Sequence, residues 1–152
     1  MLEAIDVILI HQLLGEYGHA IDHRAWDDFA ELFVPDASID YRGSSGNVVR
    51  VGRDEIVRWF IEVDRGHPSS HHVTNIVVAT AEGPDGPVAV HSKFIAPFTR
   101  DHHSPKRLYG GDYLDTVVRT PAGWRFSRKE CIPRWNLAVQ VDPDAPAHRS
   151  TS

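Results

Sequence analysis

The stretch His71-His72-Val73-Thr74-Asn75 sets two imidazoles and a carboxamide at the start of a β-branched run, Ile76-Val77-Val78-Ala79. Ionisable rings are an unusual opening for a strand that is apolar along the rest of its length. Successive side chains on a strand point to opposite faces, so His71 and His72 cannot both look inward; the parity that holds His71 with Val73, Asn75 and Val77 makes it the inward ring. An inward imidazole needs a hydrogen-bond partner, and a partner on one nitrogen fixes the tautomer and leaves the other as a general base. That partner must come from elsewhere in the chain.

Other groups capable of chemistry are less well placed. Cys131 is the only cysteine, which excludes an internal disulfide and a thiolate cluster within one chain; in the run Lys129-Glu130-Cys131-Ile132 it reads as a small buried hydrophobe. His102-His103 fall in a turn, His72 points away from His71, and no carboxylates can be shown to converge on them, so no metal site is expected. Gly110-Gly111 lies within a strand and fits a bulge or a close approach, not a phosphate-binding loop. His91, Asp112 and Asp115 are candidates for the wall of a pocket. Val88, Val90, Ser92, Phe94 and Phe98 share one strand face and suit an apolar cavity wall or a subunit interface.

The chain of 152 residues is the size of one domain, expected over residues 1–141 with a mobile tail from 142 to 152. A net charge of −5 with no block of Lys or Arg argues against nucleic acid and against an anionic membrane surface. No basic leader or long apolar run appears, so a cytoplasmic protein acting on a small molecule is expected.

The elements that must position these residues can be read in order. Ile5, Ile8, Leu13, Tyr17 and Ile21 recur at helical spacing over 2–22, and Trp26, Phe29, Ala30 and Phe33 mark a second helix over 24–33 that stops at Pro35. A hairpin follows, 37–42 and 48–51 about a turn at 43–47. A third helix begins at Gly52-Arg53-Asp54-Glu55, with Ile56, Trp59, Phe60 and Val63 on its apolar face. From His71 onward only strands are expected, at 71–81, 88–98, 108–119 and 124–136, separated by turns at 82–86, 101–105 and 120–123. The fold class is α+β, a cone: a curved antiparallel sheet with three helices from the N-terminal half on its concave face.

Tyr17-x4-Asp22, Trp26-x2-Phe29-x3-Phe33, Gly52-Arg53-Asp54-Glu55-Ile56, His71-x2-Thr74-Asn75 and Gly123-Trp124-Arg125-Phe126 occur in this order. In that order they resemble the SnoaL-like branch of the nuclear transport factor 2 fold, which includes scytalone dehydratase, hexachlorocyclohexane dehydrochlorinase and bile-acid 7α-dehydratase. The resemblance spans Glu3 to about Trp135 and implies an Asp–His dyad of Asp22 with His71. By likeness to bile-acid 7α-dehydratase it adds Tyr17, Tyr41 and Arg134. The implied chemistry is cofactor-independent elimination of water from a polycyclic or aromatic-like hydroxy-carbonyl compound: His71 removes a carbon-bound proton, Asp22 orients the ring, a tyrosine donates to the developing oxyanion, and Arg134 holds negative charge. Asn75, Trp59, Phe94 and Tyr113 are expected to contact the substrate, and relatives of this kind form dimers or trimers. A polyketide cyclase or isomerase, or a noncatalytic subunit or binding module, are the alternatives. Each residue also has a structural rival: Asp22 as a helix cap, Tyr17 as a core aromatic, Tyr41 as rim packing, His71 as a satisfied core histidine, and Arg134 as a surface partner of Glu130.

Overall fold

The computed structural model describes residues 2–43, 46–64, 69–79, 83, 86–98 and 107–139. The turns expected at 43–47, 82–86 and 101–105 lie wholly or partly outside these residues, as do His102, His103 and the tail from 142 to 152. The elements are α1 (Ala4–Asp22), α2 (Trp26–Glu31), β1 (Phe33–Gly43), β2 (Gly46–Val51), α3 (Arg53–Val63), β3 (His72–Val78), β4 (Val88–Phe98), β5 (Arg107–Thr120) and β6 (Gly123–Ala138). Six strands form one curved, unclosed sheet in the order β2-β1-β6-β5-β4-β3. Every neighbouring pair is antiparallel except β1 with β6, which run parallel. No helix among the described residues is long and apolar enough to cross a membrane.

The second helix is shorter than its apolar spacing implies, because the chain is already extended at Phe33, before Pro35. Proline has no N–H for the ladder, and Pro35 falls where the β1/β6 register shifts, between Phe33 and Ser38. In α1 the buried stripe runs Asp6, Ile10, Leu13, Leu14, Tyr17 and Gly18, whereas Ile5 and Ile8 face outward. The inward place at the start of the helix is taken by the Asp6 carboxylate, which accepts from Arg119 at 2.5 Å and from the Trp124 indole at 3.4 Å.

Alternation sorts the long strands into two faces. Val88, Val90, Ser92, Phe94 and Ala96 are buried on the concave face of β4, while Ala89, His91, Lys93 and Ile95 between them are exposed on the outer face. On β5 the concave residues are Tyr113, Asp115 and Val117. Gly110-Gly111 marks a bulge opposite β6, and any side chain at Gly111 would strike the Ile132 carbonyl, 2.2 Å from where its Cβ would stand.

Candidate functional site

α1 ends at Asp22, and the side chain of this last helical residue reaches across to the lead-in of β3. His71 Nδ1 lies 2.6 Å from Asp22 Oδ1, and the His71 backbone N–H donates to Asp22 Oδ2 at 2.8 Å. The Ser69 hydroxyl donates to Oδ1 at 2.8 Å. Asp22 therefore holds both the ring and the backbone of the same histidine, and it caps no helix: the N-cap of α2 is Ala25. Burial raises the Asp22 pKa, but the bonds from the His71 ring, the His71 backbone and Ser69 outweigh it and hold the carboxyl down to about 2. An ionised Asp22 accepts the proton on Nδ1, which leaves the Nε2 lone pair of a neutral His71 as a base. With side chains 18% and 16% exposed, His71 and Asp22 are sheltered yet within reach of a small molecule.

Gly18 allows this meeting. A Cβ at that position would stand 3.2 Å from the His71 carbonyl oxygen and 3.3 Å from the His71 Cβ. Gly18 and Asp22 are one helical turn apart on the same face of α1, so the glycine that admits the His71 backbone sits directly before the carboxylate that grips it. A second tie holds the segment after α3: Arg24 Nε donates to Asp64 Oδ2 at 2.6 Å, with Arg24 at a positive φ of 55°.

The tyrosines meet one another. The Tyr17 and Tyr41 hydroxyls form a hydrogen bond between α1 and β1, and burial pushes both phenols well above their usual range. Tyr41 is braced by Trp59 at 5.2 Å and Phe60 at 5.6 Å from α3. Tyr113 stacks on Phe94 at 4.5 Å and meets Tyr17 edge-on at 5.8 Å. Trp59, Phe94 and Tyr113 thus belong to the aromatic lining of the concave side. Tyr17, Phe29 and Phe126 pack the deep end of the cone, whereas Tyr41 keeps part of its surface exposed.

Four of the expected residues lie elsewhere. Arg134 is not on the concave side; its side chain is 59% exposed, and its Nε donates to Asp112 on the outer face at 2.7 Å. The β5/β6 bulge skips Arg134 between Pro133 and Trp135, and Asp112 also takes His91 at 2.9 Å and Lys93. Lys93, then His91 and Arg134, hold the Asp112 carboxyl well below the usual range. His91 and Asp112 are accordingly outer-face residues too, and only Asp115 of those three faces inward. Asn75 is the extra residue of a bulge in β3: its φ is +51°, it is exposed, and the register shifts between Thr74 and Val77. A bulge reverses the parity after it, so His71 and Val73 point inward together but Val77 does not; asparagine tolerates the left-handed conformation better than most residues.

Ser69 was not identified among the candidates, although a hydroxyl two residues before a histidine is a short-range signal. Lys129 was missed for a physical reason: lysine is almost never buried whole. Cys131 is buried, which pushes its thiol up to about 12 and keeps it from acting as a nucleophile. Among the described residues no group of three or more His, Cys, Asp or Glu side chains could hold a metal ion. Two open depressions, of about 280 Å³ on the outer face by His91 and Leu114 and about 420 Å³ beside His19 and His23, take in neither His71 nor the tyrosines.

Residues 3–130 match the family model described as a SnoaL-like domain. An uncharacterized protein of Mycobacterium tuberculosis is 34% identical over 127 residues, 84% of each chain. The anthranilate 1,2-dioxygenase small subunit of Burkholderia cepacia is 24% identical over 136 residues, 81% of this chain and 83% of that one. Among solved structures, a hexachlorocyclohexane dehydrochlorinase, LinA type 2, superposes with a TM-score of 0.80 at 17% identity, covering 97% of this chain and all of the other. A Novosphingobium aromaticivorans protein proposed to be a scytalone dehydratase gives 0.74 at 23% identity, covering 97% and 96%. The fold is that of these nuclear transport factor 2-like proteins, and with its family model matched from Glu3 to Glu130 the chain belongs to the SnoaL-like domain family.

Proposed function

We propose that this protein is a cofactor-independent lyase that eliminates water from a planar, largely apolar hydroxy-carbonyl compound, with His71 as the base and Asp22 as its orienting partner. One observation carries the proposal: Asp22 bonds the ring and the backbone of His71 together, at 2.6 and 2.8 Å, in a spot that is sheltered but reachable. A core histidine needs one acceptor; this one has its tautomer and its position fixed by a single carboxylate. Similarity in fold to a dehydrochlorinase and to a protein proposed as a scytalone dehydratase supports the reading, since both names denote eliminations.

In the proposed step His71 Nε2 takes the proton from the carbon beside the carbonyl. Asp22 stabilises the imidazolium that results, and the Tyr41 hydroxyl, backed by that of Tyr17, receives the enolate oxygen. The imidazolium then returns its proton to the departing hydroxyl, so that water leaves and a conjugated double bond remains. The same base could shift a double bond or close a ring instead, and a proton removed from carbon is common to all three outcomes.

Similarity to the small subunit of a ring-hydroxylating dioxygenase favours a second reading, a noncatalytic subunit. Turnover separates the two. Offered a panel of β-hydroxy aryl ketones, the wild type should generate the ultraviolet absorbance of the conjugated enone. His71→Ala and Asp22→Asn should lower kcat by about 10²–10⁴ while circular dichroism shows each variant folded at the assay temperature. Equal turnover in the variants would remove the dyad from the reaction.

A further inference from the structure

Lys129 and Asp115 form a buried ion pair that the chemistry above leaves unused. Their side chains are 1% and 0% exposed, and Lys129 Nζ donates to the two Asp115 oxygens at 2.9 and 3.2 Å. Such a pair seldom repays its desolvation, and well-packed apolar residues in its place are commonly as stable or more so. Burial pushes the Asp115 carboxyl up to about 6 against the pull of Lys129, and it pushes the Lys129 ammonium down. Both directions mean that holding the pair charged costs the folded state near neutral pH.

The location of the charge gives it a use. Lys129 Nζ stands 3.7 Å from the centroid of the Tyr113 ring, 4.1 Å from that of Tyr17 and 4.8 Å from that of Phe126. The register puts Lys129 opposite Asp115, one inward position from Cys131, which lies opposite Tyr113 on β5 and Tyr41 on β1. The ammonium is thus seated against the ring whose hydroxyl meets Tyr41. A cation on the face of a phenol favours the phenolate, because ionisation adds negative charge to the ring, and it makes the O–H a better donor.

We propose that Lys129, held by Asp115, is a positioning residue that fixes the Tyr17 ring and charges its face, making the Tyr17–Tyr41 hydroxyl pair the donor to the oxyanion formed when His71 removes a proton. This rests on the function proposed above. Asp22 follows Tyr17 by five positions on α1, a rise of about 7.5 Å. The titratable groups facing Tyr17 are Tyr41 from β1, Tyr113 and Asp115 from β5, and Lys129 and Cys131 from β6.

Difluorotyrosine in place of the 4 tyrosines lowers their ionisation, and fluorine NMR follows each ring, assigned with single Tyr→Phe variants. In Lys129→Met/Asp115→Asn the Tyr17 midpoint should rise by about one pH unit. A Tyr17 resonance that titrates alike in both proteins, or in neither, overturns the role. Should the double variant fail to fold, Lys129→Gln alone removes the ammonium and should raise the Tyr17 midpoint; a midpoint that stays or falls overturns the role as well. Loss of turnover in His71→Ala without these fluorine shifts sinks the part given to Lys129 and leaves the lyase standing; fluorine shifts with full turnover in His71→Ala sink the lyase and the oxyanion role with it, and leave only the charge against the Tyr17 ring.

Discussion

Asp22 accepts from a ring nitrogen, a backbone N–H and a serine hydroxyl, and each of these bonds is lost or weakened when the carboxyl takes a proton. Its pKa is about 2 in the folded chain against about 3.9 unfolded, a depressed value. The stabilisation is therefore fully present above about pH 4 and disappears as pH falls through about 2. Acid unfolding followed by circular dichroism should show wild type more stable than Asp22→Asn at neutral pH, with the two curves converging at the acid end; parallel curves would mean that folding does not hold the Asp22 carboxyl down. His71 was identifiable from sequence because an imidazole at the head of a β-branched run is out of place. Its partner became identifiable only through family likeness, since nothing local ties residue 22 to residue 71.

At the scale of elements, the close approach of α1 to the start of β3 depends on the absence of a side chain at Gly18. Gly18→Ala should leave stability level or slightly higher, because alanine is the better helix former by about 1 kcal/mol, while the added methyl shifts His71 by a few tenths of an ångström. Turnover should fall about tenfold with an unchanged melting temperature; a full loss of fold would show instead that Gly18 is needed for packing alone. The strand faces make the opposite prediction for Arg134. Its salt bridge to Asp112 lies on the outer side of the sheet, so Arg134→Ala should keep kcat/KM within about twofold of wild type. A drop of two orders of magnitude would return that guanidinium to the chemistry. Strand alternation predicts faces until a bulge intervenes. Two bulges, at Asn75 and around Arg134, account for the two site residues that the sequence placed wrongly.

For the molecule as a whole, the order of helices and strands was legible because its signals are local: helical spacing, turn residues and β-branched runs. β4 was expected at its observed limits, Val88 to Phe98. The parallel contact of β1 with β6 and the packing of the deep cone by aromatic rings were not legible, because both depend on residues far apart in the chain, such as Tyr41 with Cys131 and Tyr17 with Phe126. The central claim joins two such distant residues, and proton exchange at carbon tests it without requiring the natural substrate. In deuterium oxide, wild type should incorporate deuterium beside the carbonyl of a planar hydroxy-ketone, seen by NMR as loss of the carbon-bound proton signal, and His71→Gln should fall to the uncatalysed rate. Exchange by His71→Gln at the wild-type rate would contradict the account, whichever product the enzyme forms.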